Sequence, residues 1–452
     1  MRKTLVLVLL AAGCGSSNTP PRIIESADAG TPGEPPMDLA MADQGLPHHE
    51  GGEGDGGVIS DGGIGASDAA PMKPPMGDGG VFVPPPPSDP AVVHAPATPI
   101  SVGLLLPGVN VLDVAVDQGG GVWAVSASAV YYFAPGQAAP FTYDQTSGLA
   151  RGQSTWTDTW FSPGTYPVTF QSVSAGMPGQ AIVGNIGEIA DRLQVNPSTG
   201  AVIKIDNMQV TMANTNAAEF PEHLKRVVAV WRSVVDLNGT LEGTAYLGGF
   251  HGFYAFHGLT ADCGCLAFEE HQHYITDTAI GGGDVKGLAI TSTGDLYQGD
   301  RDFVTLLPQR SRGATTGLFD YDFTWGIDVF PNVRDEVNAL AADASDGVYV
   351  ASEGNGLAYL APATHAASYW SSATRLPQNR VRGVALDAQG DVWIGTAQAG
   401  VARYRPSTDA WTYYTQASGL PSAGVNTVYF DKLTGGARIY LATDNGIAIA
   451  TP

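Results

Sequence analysis

The sequence is poor in basic residues and in cysteine, and both shortages restrict what the protein can be. Its 452 residues include 22 Lys and Arg against 44 Asp and Glu, which gives a formal net charge of -22. No Lys/Arg cluster is present, so a nucleic-acid binder, which needs a basic face to neutralise phosphates, is excluded. Three cysteines in a chain of this length also exclude a disulfide-stapled scaffold.

Sequence signatures of common enzyme classes are missing as well. The chain contains no Gly-x-Ser-x-Gly nucleophile elbow, no phosphate-binding loop and no His-Glu-x-x-His metal motif. These absences favour a binding protein over an enzyme.

Residues 1–13 have the pattern of a bacterial lipoprotein signal peptide. Arg2 and Lys3 precede an apolar run at 5–10, and small residues then lead to Cys14. The run is too short for a membrane-spanning helix, which needs about 20 apolar residues. We therefore predict that Cys14 is lipidated and anchors the exported protein in the outer membrane, at its periplasmic face or at the cell surface. An ordinary secretory signal with an incidental cysteine is the alternative.

Residues 14–97 are predicted to be a disordered, acidic tether. The stretch 15–95 holds 15 Gly and 14 Pro, with 12 acidic residues, two basic residues and one aromatic residue, Phe82. Such a composition cannot bury enough apolar surface to offset the entropy lost on ordering the chain. The predicted role of the tether is to hold a folded domain away from the membrane.

Residues 98–452 contain seven copies of one short pattern. Each copy has an apolar run, a turn rich in Asp and Gly, a strand with Trp or Tyr followed by small residues, and a further glycine. The copies start at 111, 173, 227, 285, 337, 381 and 425, with spacings of 44 to 62 residues. A four-stranded propeller blade needs about 40–50 residues, so the pattern predicts an all-β, seven-bladed β-propeller with insertions.

The strand count also predicts how the ring closes. The last copy ends after three strands, whereas residues 98–107 provide an additional strand before the first copy. We expect that N-terminal strand to complete the seventh blade, because closure removes two exposed sheet edges. An open solenoid, which would leave both end blades uncapped, is the alternative.

The best-preserved copies resemble the two-component-regulator propeller repeat. The resemblance is carried by Asp387…Gly390-Asp391-Val392-Trp393-Ile394-Gly395-Thr396 with Gly400-Val401, and by Tyr414…Ser418-Gly419-Leu420-Pro421. Tyr143…Ser147-Gly148-Leu149 is a shorter version. The resemblance implies a propeller fold and, from the family, a sensory ectodomain of a membrane-bound hybrid kinase. Because no kinase segment follows, we expect the fold to transfer better than the signalling function.

One group of residues has the side chains of a metal site. Cys263 and Cys265 are followed by His271 and His273, and two histidines two residues apart on a strand share one face. Two thiolates and two imidazoles suit zinc or copper. A Cys263–Cys265 disulfide is the competing hypothesis, since thiols oxidise outside the cytoplasm, and silent free groups are a third.

Two aromatic segments are candidate ligand-binding sites. Asp320, Tyr321, Asp322 and Trp325 combine carboxylates with rings, which suits sugar or calcium binding, although an ordinary outer strand explains the same pattern. Trp156 and Trp160 lie in a segment, 151–172, that lengthens the first copy and exposes aromatic side chains.

Taken together, the sequence predicts a cell-envelope surface lipoprotein whose propeller is a protein-binding or scaffold module. Its partner would be an envelope protein or a surface glycan, held at the central mouth of the ring or on insertions at 151–172 and 258–284. The alternatives are a metal-assisted propeller hydrolase or lyase using the Cys263–His273 region with zinc or copper, and a carbohydrate-binding adhesin. No catalytic residue and no certain cofactor is assigned.

Overall fold

A computed structural model describes the greater part of the repeat region. The described residues are 103–149, 153–156, 164–186, 190–207, 230–236, 244–249, 252–257, 271–275, 285–299, 304–308, 324–327, 329–330, 336–432, 434 and 437–452. All of them lie in one compact unit. The predicted signal peptide, Cys14 and the predicted tether lie outside this set. Within it, no helix is long and apolar enough to cross a membrane.

Within the described residues, seven four-stranded antiparallel sheets and one hairpin are formed. The strands follow in chain order. Blade 1 holds β2 (Asp113–Val116), β3 (Val122–Val125), β4 (Val130–Phe133) and β5 (Phe141–Tyr143), and the hairpin holds β6 (Gln153–Trp156) and β7 (Gly164–Pro167). Blade 2 holds β8 (Thr169–Ala175), β9 (Gln180–Ile186), β10 (Ala190–Val195) and β11 (Val202–Asn207). Blade 3 holds β12 (Val230–Asp236), β13 (Thr244–Gly249), β14 (Gly252–His257) and β15 (His271–Ile275).

The remaining blades repeat the same order. Blade 4 holds β16 (Gly287–Ile290), β17 (Leu296–Gly299), β18 (Val304–Leu307) and β19 (Thr324–Ile327). Blade 5 holds β20 (Val337–Ala342), β21 (Val348–Ser352), β22 (Leu357–Leu360) and β23 (Ala367–Trp370). Blade 6 holds β24 (Val381–Leu386), β25 (Val392–Thr396), β26 (Val401–Arg405) and β27 (Ala410–Tyr414). Blade 7 holds β28 (Val425–Phe430), β29 (Ile439–Thr443), β30 (Gly446–Ala450) and, at its outer edge, β1 (Gly103–Leu105).

The first strand of each blade packs against the first strand of the next. These inner strands are β2, β8, β12, β16, β20, β24 and β28, and β28 in turn contacts β2. The contacts therefore run once around a closed ring, which confirms the predicted seven-bladed propeller and excludes the open solenoid.

The N-terminal strand closes the ring as predicted. Strand β1 pairs antiparallel with β30, with Leu104 opposite Ala448. Side chains of the inner strand β28 add a second seam. Thr427 Oγ1 donates to the Leu112 carbonyl at 3.0 Å and Tyr429 Oη to the Val116 carbonyl at 3.3 Å. Blade 7 is thus joined to blade 1 at its inner strand as well as at its outer edge.

Large aromatic rings fill the spaces between blades. Trp123 and Trp393, both fully buried, pack against the inner strands of blades 2 and 7 respectively. Tyr414 stacks on Trp393, with ring centroids 5.5 Å apart. The segment after Tyr414 turns at Gly419, whose φ is +100°. The Tyr…Ser-Gly-Leu pattern of the sequence therefore marks the place where an outer strand crosses to the next blade.

A carboxylate holds each well-preserved inner turn. Asp387 Oδ1 accepts hydrogen bonds from the backbone of Gln389 and Asp391, at 2.9 and 3.0 Å. Its Oδ2 accepts one from Trp393 Nε1 at 2.9 Å. Asp117 forms the same contacts in blade 1, where Trp123 donates at 3.2 Å. The aspartate thus fixes both the turn and the tryptophan side chain between blades. The Asp-to-Gly spacing predicted only the turn.

In blades 1 and 5 the glycine directly before the second strand makes room for a side chain of the third strand. In blade 5 the left-handed residue is Asp346, with a φ of 65°, and not Gly347. A Cβ at Gly347 would lie 2.1 Å from the Tyr359 hydroxyl, so the glycine makes room for a tyrosine of the third strand. Gly121 makes room for Tyr132 in the same way, with 2.4 Å to the ring.

Blade 6 replaces this glycine–tyrosine pair by a charged pair. Asp391 stands at the position of Gly347, and Arg403 stands at the position of Tyr359. Arg403 Nε donates to Asp391 Oδ2 at 2.8 Å. At this position of the repeat, the contact between second and third strands is therefore made either by a glycine that accommodates a tyrosine ring or by an ion pair.

Register shifts in the inner strands place two repeats differently from the prediction. Blades 5, 6 and 7 each have a bulge directly after the first residue of the repeat, which is Val337, Val381 or Val425. The matching bulges follow Phe170 in blade 2 and Val230 in blade 3. Aligned by these bulges, the second and third repeats start at 170 and 230, whereas the apolar pattern predicted 173 and 227. The apolar runs alone do not define the register, which the bulge does.

We predict that the pair of blade 6 can be transferred to blade 5 only as a pair. Gly347→Asp alone should lower the free energy of unfolding by about 1–3 kcal/mol, since its Cβ meets Tyr359. Adding Tyr359→Arg should recover at least about 1 kcal/mol, because neighbouring substitutions couple when they form an ion pair. Denaturant unfolding of the two single variants and the double variant measures the coupling, and strictly additive losses would contradict the exchange.

We predict that Thr427→Val weakens the inner seam. The change removes the hydroxyl that donates to the Leu112 carbonyl and should cost about 1 kcal/mol of unfolding free energy. Hydrogen exchange should become faster in β2 and β28. Thr412→Val, the same chemical change on the outer strand β27, is the control and should leave exchange at the seam unchanged.

Candidate functional site

The chain order of the strands gives the ring two distinct faces. We call the face where the inner strands begin the mouth face and the face where they end the turn face. Since the strands alternate in direction, the turns between second and third strands return to the mouth face. There they contact the start of an inner strand, for example through Ala397 N–H, which donates to the Arg380 carbonyl at 3.0 Å.

The bulges of the inner strands put polar residues around the mouth. In blades 5, 6 and 7 the residue at the bulge is Asn338, Arg382 or Asn426. Lys286 stands at the corresponding position of blade 4. We call these four residues the mouth arc. Of the four, Asn338 is the most buried, and the others are partly exposed.

Side chains of the mouth arc reach the next blade. Asn338 Nδ2 donates to the Val381 carbonyl at 3.0 Å and to Glu353 Oε2 at 2.9 Å. Glu353 also pairs with Arg380, whose Nε donates to Oε1 at 2.7 Å. Lys286 Nζ pairs with Glu336 Oε1 at 2.9 Å. The contacts of Asn338 with Val381, of Glu353 with Arg380 and of Lys286 with Glu336 join neighbouring repeats, whereas Asn338 and Glu353 belong to the same repeat.

The arc continues across the closure of the ring. Arg382 donates through one terminal nitrogen, NH1, to Asn426 Oδ1 at 2.8 Å. Asn426 Nδ2 donates in turn to the Val111 carbonyl at 2.9 Å and faces Asn110 Oδ1 and Asp444 Oδ1 at 3.1 and 3.2 Å. Among the described residues, polar side chains of blades 4 to 7 thus form a set of hydrogen-bonded contacts at the mouth that contains both donors and acceptors.

These mouth residues were not among the candidates drawn from the sequence. One signal pointed to them: Asn338, Arg382 and Asn426 are polar, although each follows the first valine of an otherwise apolar strand. Period-2 alternation accounts for such a residue as solvent-facing, and it does not indicate that a bulge directs it toward the next blade.

On the turn face the charged groups bind one another. Asp391 is buried, and its Oδ2 accepts hydrogen bonds from Arg403 Nε at 2.8 Å and from Arg405 NH2 at 2.7 Å. Burial acts to raise the pKa of Asp391, but the hydrogen bonds and charges of Arg405 and Arg403 together lower it below its ordinary value. In blade 1, burial outweighs four hydrogen bonds and raises the pKa of Asp117.

The structure places the predicted metal residues only in part. His271 and His273 lie on β15, the outer strand of blade 3, where they pair with Phe256 and Tyr254 across the sheet. Cys263 and Cys265 lie outside the described residues, so the zinc or copper site and the disulfide both remain predictions. Among the side chains that the structure describes, no three His, Cys, Asp or Glu form a group that could hold a metal ion.

The aromatic candidates are divided in the same way. Trp156 is the last residue of β6 and Trp325 lies on β19, the outer strand of blade 4. Trp160, Asp320, Tyr321 and Asp322 lie outside the described residues. The structure thus places two of the six candidates, one on the hairpin and the other on blade 4.

Both predicted insertions are shorter than the sequence suggested. Residues 169–172 belong to the inner strand β8, and residues 271–275 form the outer strand β15. The strand ends also separate the two segments. Strands β5 and β8, which flank the hairpin, end and begin at the mouth face, whereas β14 and β15 meet at the turn face. One partner bound at the mouth would therefore approach the strand ends that flank the first insertion and those that flank residues 276–284, and not those that flank residues 258–270.

Comparison with known proteins gives one family match and a clear fold match. A family model described as "Two component regulator propeller" matches residues 375–398, from the end of blade 5 into blade 6. No curated protein matches the sequence. The chain is a β-propeller with repeats like those of the two-component-regulator propeller.

Several solved structures share the fold at low sequence identity. One is the extracellular domain of BT4673 from B. thetaiotaomicron, assigned as a one-component system, with 17% identity and a TM-score of 0.50 over 77% of this chain. Another is the extracellular domain of BT3049 of the same organism, assigned as a hybrid two-component system, with 13% identity and a TM-score of 0.51 over 76% of this chain. PorZ, a surface component of the type-IX secretion system of Porphyromonas gingivalis, gives 12% identity and 0.52 over 76%. The chain spans 39%, 40% and 47% of those three chains.

We predict that Asp391→Asn lowers stability at neutral pH and has less effect in acid. A carboxylate whose pKa is lowered by folding stabilises the protein above its unfolded pKa, about 3.9, and that contribution disappears as the pH falls through the folded pKa. The loss at pH 7 should be about 1–3 kcal/mol, because two arginines lose a charged acceptor. Denaturant unfolding at pH 7 and pH 3 measures it. Asp409→Asn, at an exposed carboxylate, is the control, and an equal deficit for Asp391→Asn at both pH values would refute the charge argument.

Proposed function

We propose that this protein is an exported binding module of the cell envelope and that its propeller holds the partner at the mouth face. The observation that carries the proposal is the mouth arc, Lys286, Asn338, Arg382 and Asn426. These residues bring hydrogen-bond donors to one half of the ring entrance, and three of the four are partly exposed.

The mouth face suits this role better than the turn face does. Carboxylates of the turn face are used within the fold: Asp117 accepts four hydrogen bonds, from Gly119, Gly121, Trp123 and Gly179. A partner would have to displace these contacts and loosen the packing between blades. At the mouth, a partner would meet side chains that already reach from one blade to the next.

The predicted tether fits a module that works at a distance from its membrane. Lipidation of Cys14 would fix the chain at the outer membrane, and residues 14–97 would let the propeller reach a partner. The extracellular and surface proteins with a similar fold support export. An envelope protein or a surface glycan is the partner that we propose.

Site-specific photo-crosslinking in cells tests which face binds. Gln398 and Gln389 are exposed glutamines on the two faces of blade 6, the first in the turn between β25 and β26 and the second in the turn before β25. We expect a photo-reactive residue at 398 to give a discrete crosslinked product in the full-length lipoprotein. The same residue at 389 should give none.

A Cys14→Ser version of the 398 variant separates binding from location. If the partner belongs to the envelope, the crosslinked product should disappear when the protein is no longer anchored. Equal products from 398 and 389 would contradict binding at the mouth face, and a product that persists without Cys14 would contradict the anchored location.

A further inference from the structure

We infer that the mouth recognises a carboxylate group and that Arg382 is the residue that binds it. The inference rests on the proposed function, since it names the chemistry of the ligand held at the mouth face. It starts from a difference in hydrogen-bond partners between Arg382 and Arg380, the neighbouring arginine at the mouth.

Arg382 is partly exposed at the mouth and has no carboxylate partner among the described side chains. Its terminal NH1 group donates to a neutral acceptor, Asn426 Oδ1. Arg380, two residues earlier, is paired with Glu353. In blade 6 itself, Arg403 and Arg405 both pair with Asp391. Among the described residues Arg382 is thus a guanidinium without an ion pair, which is a position where a negative charge is favoured.

Among the described residues, most charged groups at the mouth are paired with one another. Lys286 neutralises Glu336, and Arg380 neutralises Glu353. Asp444 is exposed and is joined to the arginine only through Asn426, whose Nδ2 faces its Oδ1 at 3.2 Å. A ligand with a single negative charge would meet less repulsion from Asp444 than a phosphate with nearly two charges.

The hydrogen bond to Asn426 also orients the guanidinium. With NH1 held by Asn426, the edge formed by Nε and NH2 makes no hydrogen bond to a described residue. Two parallel N–H groups on one edge match the two oxygens of a carboxylate, a geometry that Arg supplies and Lys does not. Asn426 is itself fixed by the Val111 carbonyl, so the arginine is held by the closure of the ring.

Two kinds of molecule offer such a carboxylate: an acidic saccharide that contains uronic acids, and a peptide with Asp or Glu. Both would place an oxygen pair against the Nε–NH2 edge and further acceptors against Asn338 or Lys286. The shared chemistry is the carboxylate, and the experiment distinguishes the two sources.

Calorimetric titration of the full-length protein tests the inference. The probes are tri-galacturonate and tri-aspartate with blocked termini, and their uncharged counterparts are the fully methyl-esterified tri-galacturonate and tri-asparagine with blocked termini. We expect one acidic probe to bind and its uncharged counterpart to bind at least about tenfold more weakly. Arg382→Gln should weaken the acidic probe about 10- to 100-fold, the range expected for losing a charge-assisted bond. Arg405→Gln, at a partly exposed arginine of the turn face, should not change it.

The outcomes separate this inference from the proposed function. Binding of tri-galacturonate alone would assign a saccharide, and binding of tri-aspartate alone would assign a peptide. No binding of either acidic probe, or binding that Arg382→Gln leaves unchanged, would overturn the carboxylate inference. If the crosslink at position 398 were still discrete, the mouth face would remain the binding face for a ligand of other chemistry.

Discussion

Closure of the ring is the constraint on which the rest of the structure depends. Each inner strand packs between two neighbours, so a gap anywhere would expose apolar side chains on two blades at once. The protein meets this constraint twice in blade 7. Strand β1 supplies the missing outer strand, and β28 sends side-chain donors to carbonyls of β2. Because Asn426 belongs to that seam, the contact that closes the ring also shapes its mouth.

Polar groups of the two faces are used in different ways. On the turn face, Asp117 and Asp387 accept hydrogen bonds from their own turns and from a tryptophan between blades, so these carboxylates stabilise the fold. Where the glycine that accommodates a tyrosine is replaced by Asp391, Arg403 is present to match it. On the mouth face, side chains reach between blades and remain partly exposed. In the proposed function, stability and binding are therefore separated along the axis of the ring.

The fold predicted from the sequence is confirmed, whereas the structure describes only some of the candidate site residues. Cysteine, histidine and aromatic side chains attract notice because each carries chemistry of its own, yet their spacing did not show which of them meet in space. The order of strands places the ends that flank 258–270 on the turn face, whereas the ends that flank 276–284 and the hairpin β6–β7 lie at the mouth face, so the second insertion is divided between the two faces. In the sequence, Arg382 and Asn426 are polar residues outside any recognisable motif. Each lies at a bulge of an inner strand, and this position brings its side chain to the neighbouring blade.

What the sequence determined by itself is the repeated unit: seven apolar runs, the Asp turns, the buried Trp or Tyr, and an extra N-terminal strand to complete the last blade. These features are local, because the hydrogen bonds of a turn and the pairing of neighbouring strands involve residues close together in the chain. Only the tertiary structure decided which polar side chains line the mouth and which residues of the protein they contact. Asn426 and Val111 are hydrogen-bonded although 315 positions separate them, and no local pattern specifies a partner at that distance.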